Sequence, residues 1–172
     1  MNQALGIDIG GTKIAWALVD SKGIIKNEVQ KTNTPKTIEE IIKTLKNIIN
    51  QFEDSVDFTA IATAGAVNKE NSKVIGSTAN LPLGYQNIDF KSLSKKPVFI
   101  ENDANSAAYC EYKIGSTKDF KNSVMLTLGT GVGAGIIIEG KLFKGKSGAA
   151  PEAHFPMDRN QKRRCTCGFY DC

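Results

Sequence analysis

The apolar residues of the first half of the chain fall in short runs and then at helical spacing. Runs at about 4–9, 14–20 and 24–31 predict three strands, the last two joined by an Asp-Ser-Lys-Gly turn. Over 37–52 a Thr-x-x-Glu capping box precedes isoleucines and leucines at helical spacing, which predicts an amphipathic helix. We therefore expect a three-stranded meander covered on one face by a helix.

The second half begins with two more apolar strands. The run 58–64 ends at Gly65, and the run 97–100 is followed by a polar segment and a predicted helix at about 104–114. A fresh pair of apolar strands then occupies 124–139. The elements thus follow the order of three strands, helix, strand, strand and helix, and then a new hairpin begins.

This order indicates an α/β fold, with a ribonuclease-H-like (actin-like ATPase) domain built on a mixed sheet and the beginning of a second, related domain. The small N-terminal domain is predicted over 1–117. The second unit, over 118–172, contains the later hairpin and a cysteine-rich end and is expected to be incomplete.

A glycine-rich turn between two strands occurs twice. Residues 9–12 read Ile-Gly-Gly-Thr, and residues 128–131 read Leu-Gly-Thr-Gly. Because glycine lacks a Cβ atom and threonine adds a hydroxyl donor, each turn suits the close approach of a phosphate. One such turn alone would equally be an ordinary tight turn, whereas the repeat favours a nucleotide held from two sides. Neither segment is a Walker loop or a dinucleotide fingerprint, because a strand follows the glycines.

Carboxylates at predicted strand ends are the candidates for catalysis. Asp103 follows a strand and precedes a helix, at the sheet edge where open α/β folds bind ligands. It could accept the proton of a substrate hydroxyl that attacks a γ-phosphoryl group, with Asn102 orienting that substrate. The alternative is that Asp103 only caps the helix. Asp8 could meet Mg²⁺ directly or through water, or be a strand-end carboxylate without a ligand.

One histidine and three cysteines near the end of the sequence form a complete tetrahedral zinc set. These residues are His154, Cys165, Cys167 and Cys172. With four protein ligands the zinc would be structural, and free surface thiols are the alternative.

Composition excludes some classes of protein. The 172 residues are 41% hydrophobic and 23% charged, which is typical of a globular protein. The net charge of +4 is spread along the chain except at 161–164, so no nucleic-acid partner is expected. No run approaches the roughly 18 apolar residues of a membrane span, and no secretory signal is evident, so we expect a cytoplasmic protein without a membrane partner.

Together these motifs resemble the ROK family, the glucokinase-like sugar kinases of bacteria, in the family's order and over nearly the whole chain. The motifs lie at 8–13, 101–105, 128–135, 152–154 and 165–172. The resemblance implies ATP-dependent phosphorylation of a hexose, with Asp103 as general base, Mg²⁺ and a structural Zn²⁺ bound by His154 and the three cysteines. It implies sugar contacts at Gly65, Asn80, Asn102, Asp103, Glu152 and His154. It implies ATP phosphate contacts at Asp8, Gly10, Gly11, Thr12, Lys13, Thr130 and Gly131.

By the same resemblance, the sequence stops before the remaining helices and the adenine-binding wall of the large domain. We therefore expect weak nucleotide binding, and a homo-oligomer or a partner that supplies the missing half. A catalytically inactive sugar-binding sensor of the same family is the alternative. A nucleic-acid-binding zinc knuckle ranks last, because few aromatic residues accompany the basic cluster at 161–164.

Overall fold

A computed structural model describes residues 3–76, 80–129, 131–151 and 164. Its first unit contains a five-stranded sheet in the order β3-β2-β1-β4-β5, in which β1 is antiparallel to β2 and parallel to β4. The strands are β1 (Gln3–Ile9), β2 (Lys13–Asp20), β3 (Gln30–Asn33), β4 (Phe58–Thr63) and β5 (Val98–Asn102). The helices are α1 (Ile38–Phe52), between β3 and β4, and α2 (Asp103–Ile114), after β5. This mixed sheet confirms the predicted α/β class and order of elements.

Helix α1 covers one face of the sheet, as its apolar spacing predicts. The Thr37 hydroxyl accepts a hydrogen bond from the Glu40 amide at 3.3 Å and so caps the first turn. The buried side of the helix carries Ile41, Leu45, Ile48 and Ile49. These side chains form one core with the alternate residues of β1 that face them, Leu5, Ile7 and Ile9.

The predicted strand at 24–31 is wrong over 24–29. The Asn27 side-chain oxygen accepts a hydrogen bond from the Leu18 amide at 2.7 Å, in place of a main-chain partner. Asp20 in turn accepts from the amides of Lys22 and Ile24, each at 2.9 Å. The main chain pairs with β2 at one isolated bridge, between Val19 and Ile25. Because Asn27 then replaces a main-chain partner, regular pairing resumes only at Gln30.

A second, three-stranded sheet packs on α2. Its antiparallel strands are β6 (Ser123–Leu128), β7 (Val132–Ile138) and β8 (Lys141–Leu142). Side chains on Gly133 or Gly135 would run into α2: a Cβ atom on Gly133 would lie 3.0 Å from the Cβ of Ala104, and one on Gly135 would collide with Ala108. The glycines of β7 therefore allow the helix and the strand to approach closely. None of the helices in the described ranges combines the length and the apolar composition of a membrane-spanning segment.

Replacing Gly135 by alanine should separate α2 from β7, because the added methyl group has no space. We expect Gly135→Ala to lower the free energy of unfolding by about 1–3 kcal/mol, as overpacking usually does. Gly129→Ala is the matched control, since a Cβ atom there meets nothing within 4 Å. Equal midpoints of urea unfolding for the two variants would contradict this account of the packing.

Candidate active site

Three parallel strands end side by side at one edge of the first sheet. Ile9 of β1 is in register with Thr63 of β4, and Thr63 is in register with Asn102 of β5. The segments that leave these strands are the first glycine turn, the turn at Gly65 and the start of α2. Parallel pairing therefore places three of the predicted site segments next to each other.

A cavity of about 500 Å³ opens at this edge, and the second glycine turn forms its opposite wall. Seven of the predicted site residues line it: Gly10, Gly11, Gly65, Asn80, Asn102, Asp103 and Gly131. Residues 148–151, which follow β8, complete the wall. Residues that are distant in sequence and were assigned to phosphate and to sugar thus share one cavity.

The first glycine turn is fixed through its carbonyl groups. The Gly10 amide donates to the Lys13 carbonyl at 2.9 Å, which closes the turn. The Thr34 hydroxyl donates to the Gly10 carbonyl at 2.6 Å, and the Thr34 amide donates to the Thr12 carbonyl at 2.9 Å. The amides of Gly11 and Thr12 have no partner among the described residues. The turn therefore offers two N–H donors, the groups that an anion site requires.

Gly11 has a further reason to be glycine. A Cβ atom there would lie 2.6 Å from the Cβ of Asn80 and 2.8 Å from its carbonyl oxygen. The segment that carries Asn80 is anchored by Tyr85, whose buried hydroxyl lies 2.7 Å from the Thr63 hydroxyl at the end of β4. Burial raises the pKa of Tyr85, so this phenol keeps its hydrogen at an alkaline pH at which an exposed tyrosine ionises. The anchor brings Asn80 against the first turn.

The second glycine turn is more open. The Gly129 amide donates to the Gly131 carbonyl at 3.0 Å, and Cβ atoms on Gly129 and Gly131 would meet nothing within 4 Å. Its backbone is therefore accessible from the cavity. The other glycines of this motif, Gly133 and Gly135, pack on α2 instead.

Asn102, rather than Asp103, caps α2. Its side-chain oxygen accepts from the Asn105 amide at 3.0 Å, and its side-chain nitrogen donates to the Gly65 carbonyl at 3.1 Å. Gly65 has φ of +96°, a backbone conformation that favours glycine. Asp103 accepts from the Ala104 amide through one oxygen at 2.9 Å, while its other oxygen has no partner among the described residues. The exposed Asp103 carboxylate thus keeps a free oxygen at the cavity.

Asp8, Thr12 and Lys13 do not line this cavity. Thr12 and Lys13 are exposed beside it. Asp8 alternates with the buried residues of β1 and so lies on the face away from α1, in register with Ala62 and, one strand further, Glu101. Asp8 is exposed as a residue, but the surrounding protein partly desolvates its carboxylate and raises its pKa, and the negative charge of Asp103 raises it further. The two carboxylates are therefore close enough to repel each other.

Six predicted site residues lie outside the described residues: Thr130, Glu152, His154, Cys165, Cys167 and Cys172. Within the part of the chain that is described, no group of three or more His, Cys, Asp or Glu side chains could hold a metal ion. The zinc site therefore stays a prediction.

Several residues at the site received no role from the sequence. Thr34 fixes the first turn, Asn105 lines the cavity, and Glu101 accepts hydrogen bonds beneath it. The sequence could have suggested a role for Glu101 and Asn105, because both lie in the 101–105 motif that contains Asp103. Nothing in the sequence indicated Thr34, because its contacts join segments that are 22 or more residues apart.

Comparison with known proteins gives consistent matches over the whole chain. The sequence model of the ROK family matches residues 4–172. A glucokinase from Streptomyces coelicolor is 38% identical over 100% of this chain and 55% of its own length. An N-acetylmannosamine kinase from Vibrio cholerae is 34% identical over 99% of this chain and 60% of its own length.

Among solved structures, a ROK family glucokinase from Streptomyces griseus in complex with glucose and AMPPNP superposes with a TM-score of 0.83. It is 34% identical, and the match covers 99% of this chain and 55% of that one. The fold is therefore that of the actin-like ATPases, as the order of elements predicted. The chain spans about half the length of these relatives.

Asp8→Asn should make the protein more stable at neutral pH. Since the folded pKa of Asp8 lies above its ordinary value of 3.8, the folded state binds more protons than the unfolded state between these two values. The carboxylate therefore reduces stability as the pH rises through that interval, and asparagine removes the effect. We expect the melting temperature of the variant to exceed that of the parent at pH 7, and the difference to shrink below pH 3.8.

Thermal unfolding followed from pH 3 to pH 7 tests this expectation. Asp119→Asn, at an exposed aspartate, is the matched control for the loss of one carboxylate. A difference between Asp8→Asn and the parent that is constant with pH would contradict the explanation.

Proposed function

The chain belongs to the ROK family, and on that premise we propose that it binds a hexose and ATP in the cytoplasm and transfers the γ-phosphoryl group to a sugar hydroxyl. The observation that carries the proposal is the common cavity: Asp103 lies in the same cavity as both glycine turns. A proton acceptor and two phosphate-binding segments in one cavity are the parts that phosphoryl transfer requires.

Asp103 acts as the general base. Its bond to the Ala104 amide fixes one carboxylate oxygen and leaves the other to accept a proton from the sugar hydroxyl. As that hydroxyl oxygen bonds to the γ-phosphorus, its proton passes to Asp103 and the bond to the β-phosphate oxygen breaks, leaving ADP. Most of the rate enhancement comes from alignment and charge stabilisation.

The two turns hold the phosphates. Gly11 and Thr12 of the first turn supply N–H donors, and the open backbone at 129–131 approaches from the other side. Lys13 and Thr130 are proposed to add a cation and a hydroxyl.

The sugar is proposed to occupy the part of the cavity between Gly65, Asn80 and Asp103, together with Glu152 and His154. The side-chain oxygen and nitrogen of Asn102 each form a hydrogen bond within the protein. We therefore propose that Asn102 mainly holds the neighbouring segments in place and contributes less to the recognition of a sugar hydroxyl. Glucose is the first sugar to test, because the similar structure from Streptomyces griseus contains it. N-acetylmannosamine is the second, from the name of the Vibrio relative.

Asp8 and Asp103 suit a Mg²⁺ ion that accompanies ATP. Neither carboxylate forms an ion pair within the described residues, and the charge of Asp103 raises the pKa of Asp8. Hard oxygen ligands with unbalanced negative charge are the donors that Mg²⁺ prefers. When bound, the ion would neutralise phosphate charge.

A second chain is proposed to cover the exposed side of the second sheet. Val124, Leu126 and Leu128 of β6 are 63%, 52% and 82% exposed, and Val132 beside them is 51% exposed. An apolar surface of this kind is typical of an interface. The occupant would be another copy of this chain or a partner protein.

A sugar-binding sensor without turnover is the second candidate. It rests on the same cavity and needs only the proposed sugar contacts. A sensor would bind glucose and release no ADP.

Zinc content tests the proposed metal site. We expect about one zinc ion per chain, bound by His154 and the three cysteines in a tetrahedral set. Cys167→Ser should lower the zinc content measured by mass spectrometry. Cys110→Ser is the matched control, because Cys110 is an exposed, free cysteine on α2 and should leave zinc unchanged. An equal zinc content in the two variants would contradict the assignment of Cys167 as a zinc ligand.

Asp103→Asn tests the proposed base. It should lower glucose-dependent ADP release by roughly 10²–10⁴-fold, the usual contribution of a general base, and preserve glucose binding within a few-fold. Asp119→Asn should keep the parent rate. If glucose binds to the parent chain and no ADP forms with Mg-ATP, the sensor replaces the kinase. ADP release that survives in Asp103→Asn would contradict the assignment of the base.

A further inference from the structure

The Glu101 carboxylate, beneath the cavity, accepts four hydrogen bonds. One oxygen accepts from the Lys144 ammonium at 2.8 Å and from the Asn71 side chain at 2.7 Å. The other accepts from the Asn102 amide at 2.9 Å and from the Asn105 side chain at 3.3 Å. Both oxygens are therefore saturated, and their orientation is fixed.

Lys144 reaches this carboxylate from the second unit of the chain, after β8. Its ammonium also donates to the Asn68 carbonyl and to the Asn71 side-chain oxygen, each at 3.2 Å. All three of its hydrogens thus have acceptors. The Lys144 and Glu101 side chains are only 15% and 18% exposed, so this pair is shielded from water and fully hydrogen-bonded.

Close backbone contact keeps the Lys144 segment in place. Gly148, with φ of +97°, lies so close to the turn at 67–69 that a Cβ atom would collide with the Val67 carbonyl. Asn71, which lies between the bridged residues Val67 and Val74, has φ of 53°, a left-handed conformation that asparagine tolerates better than most residues. The segment after β8 therefore docks on the first unit through both a glycine contact and an ion pair.

The hydrogen bonds of Glu101 position Asn102 and Asn105, which precede and follow Asp103 in the sequence. Glu101 holds the backbone of Asn102 and the side chain of Asn105, and the Asn102 side chain closes the set by accepting from the Asn105 amide. Asn105 is 2% exposed and lines the cavity, and its side-chain oxygen has no partner among the described residues. The side-chain nitrogen of Asn105 also donates to the Ala150 carbonyl at 3.5 Å, so contacts from both units hold this side chain.

We propose that Lys144 is a positioning residue, which acts through Glu101 to orient Asn102, Asp103 and Asn105 when the second unit is docked. Lys144 touches no reacting atom. It neutralises the Glu101 charge and fixes the carboxylate that sets the first turn of α2. The structural part of the inference is independent of the proposed kinase function, whereas its consequence for turnover rests on that function.

The first test is amide hydrogen exchange in the full chain, measured by NMR. In Lys144→Met we expect exchange at Asn102 and Asn105 to accelerate by about tenfold more than at Ile7 in the core of β1, as local opening would produce. Lys144→Arg should largely restore protection. A role in general stability alone would raise exchange equally at all three amides, and that result would overturn the proposal.

Two further variants sharpen the comparison. Lys26→Met breaks the exposed pair of Lys26 with Asp20, whose closest atoms are 3.6 Å apart, and should leave Asn102 and Asn105 unchanged. If Lys144→Met does not fold, Glu101→Gln is measured instead, since it removes the charge at nearly equal volume. Glu101→Gln should show the same local acceleration, and unchanged exchange at Asn102 would overturn the inference.

Turnover separates this inference from the proposed function. With glucose and Mg-ATP, Lys144→Met should lower kcat by roughly 10–100-fold, the scale expected from a misplaced catalytic group, with little change in the KM for ATP. Lys26→Met should match the parent, and Lys144→Arg should recover much of the rate. A parent chain that releases no ADP would refute the kinase proposal, while the exchange measurement would still decide the role of Lys144.

Discussion

The parallel pairing of β1, β4 and β5 is the constraint on which the site depends. Because Ile9, Thr63 and Asn102 are in register, the segments that follow them must leave the sheet at one edge. Separate polar and glycine-rich pieces of sequence thereby become the walls of one cavity. A shift of one residue in any of these strands would turn its side chains to the other face and take its segment out of the site.

The structure also depends on glycine residues that leave space beside the backbone, and this space is used in two different ways. At 129 and 131 the missing side chain leaves open space at the cavity, as an anion site needs. At 133, 135 and 148 it allows strands and turns to touch neighbouring elements of the structure. The same residue type, within one motif, therefore leaves open space at one end and allows close packing at the other.

Charge is distributed unequally around the site. Glu101 is surrounded by donors and paired with Lys144, so its role is to organise its neighbours. Asp8 and Asp103 form no ion pair in the described part of the chain, and the charge of Asp103 raises the pKa of Asp8. This contrast separates a carboxylate that builds the framework from two whose negative charge no ion pair balances.

The sequence alone determined the elements and the motif residues. Apolar spacing and a capping threonine specify α1, and the repeated glycine turns together with Asn102 and Asp103 predict a site at the strand ends, because these signals are local in sequence. The predicted strand was wrong at 24–29, where the Asn27 side chain competes with strand pairing. Only the tertiary structure decided that Asn102 caps α2, that Gly11 meets Asn80, and that Lys144 reaches Glu101. These contacts join segments through strand register and close packing, and neither is encoded in the spacing of any single segment.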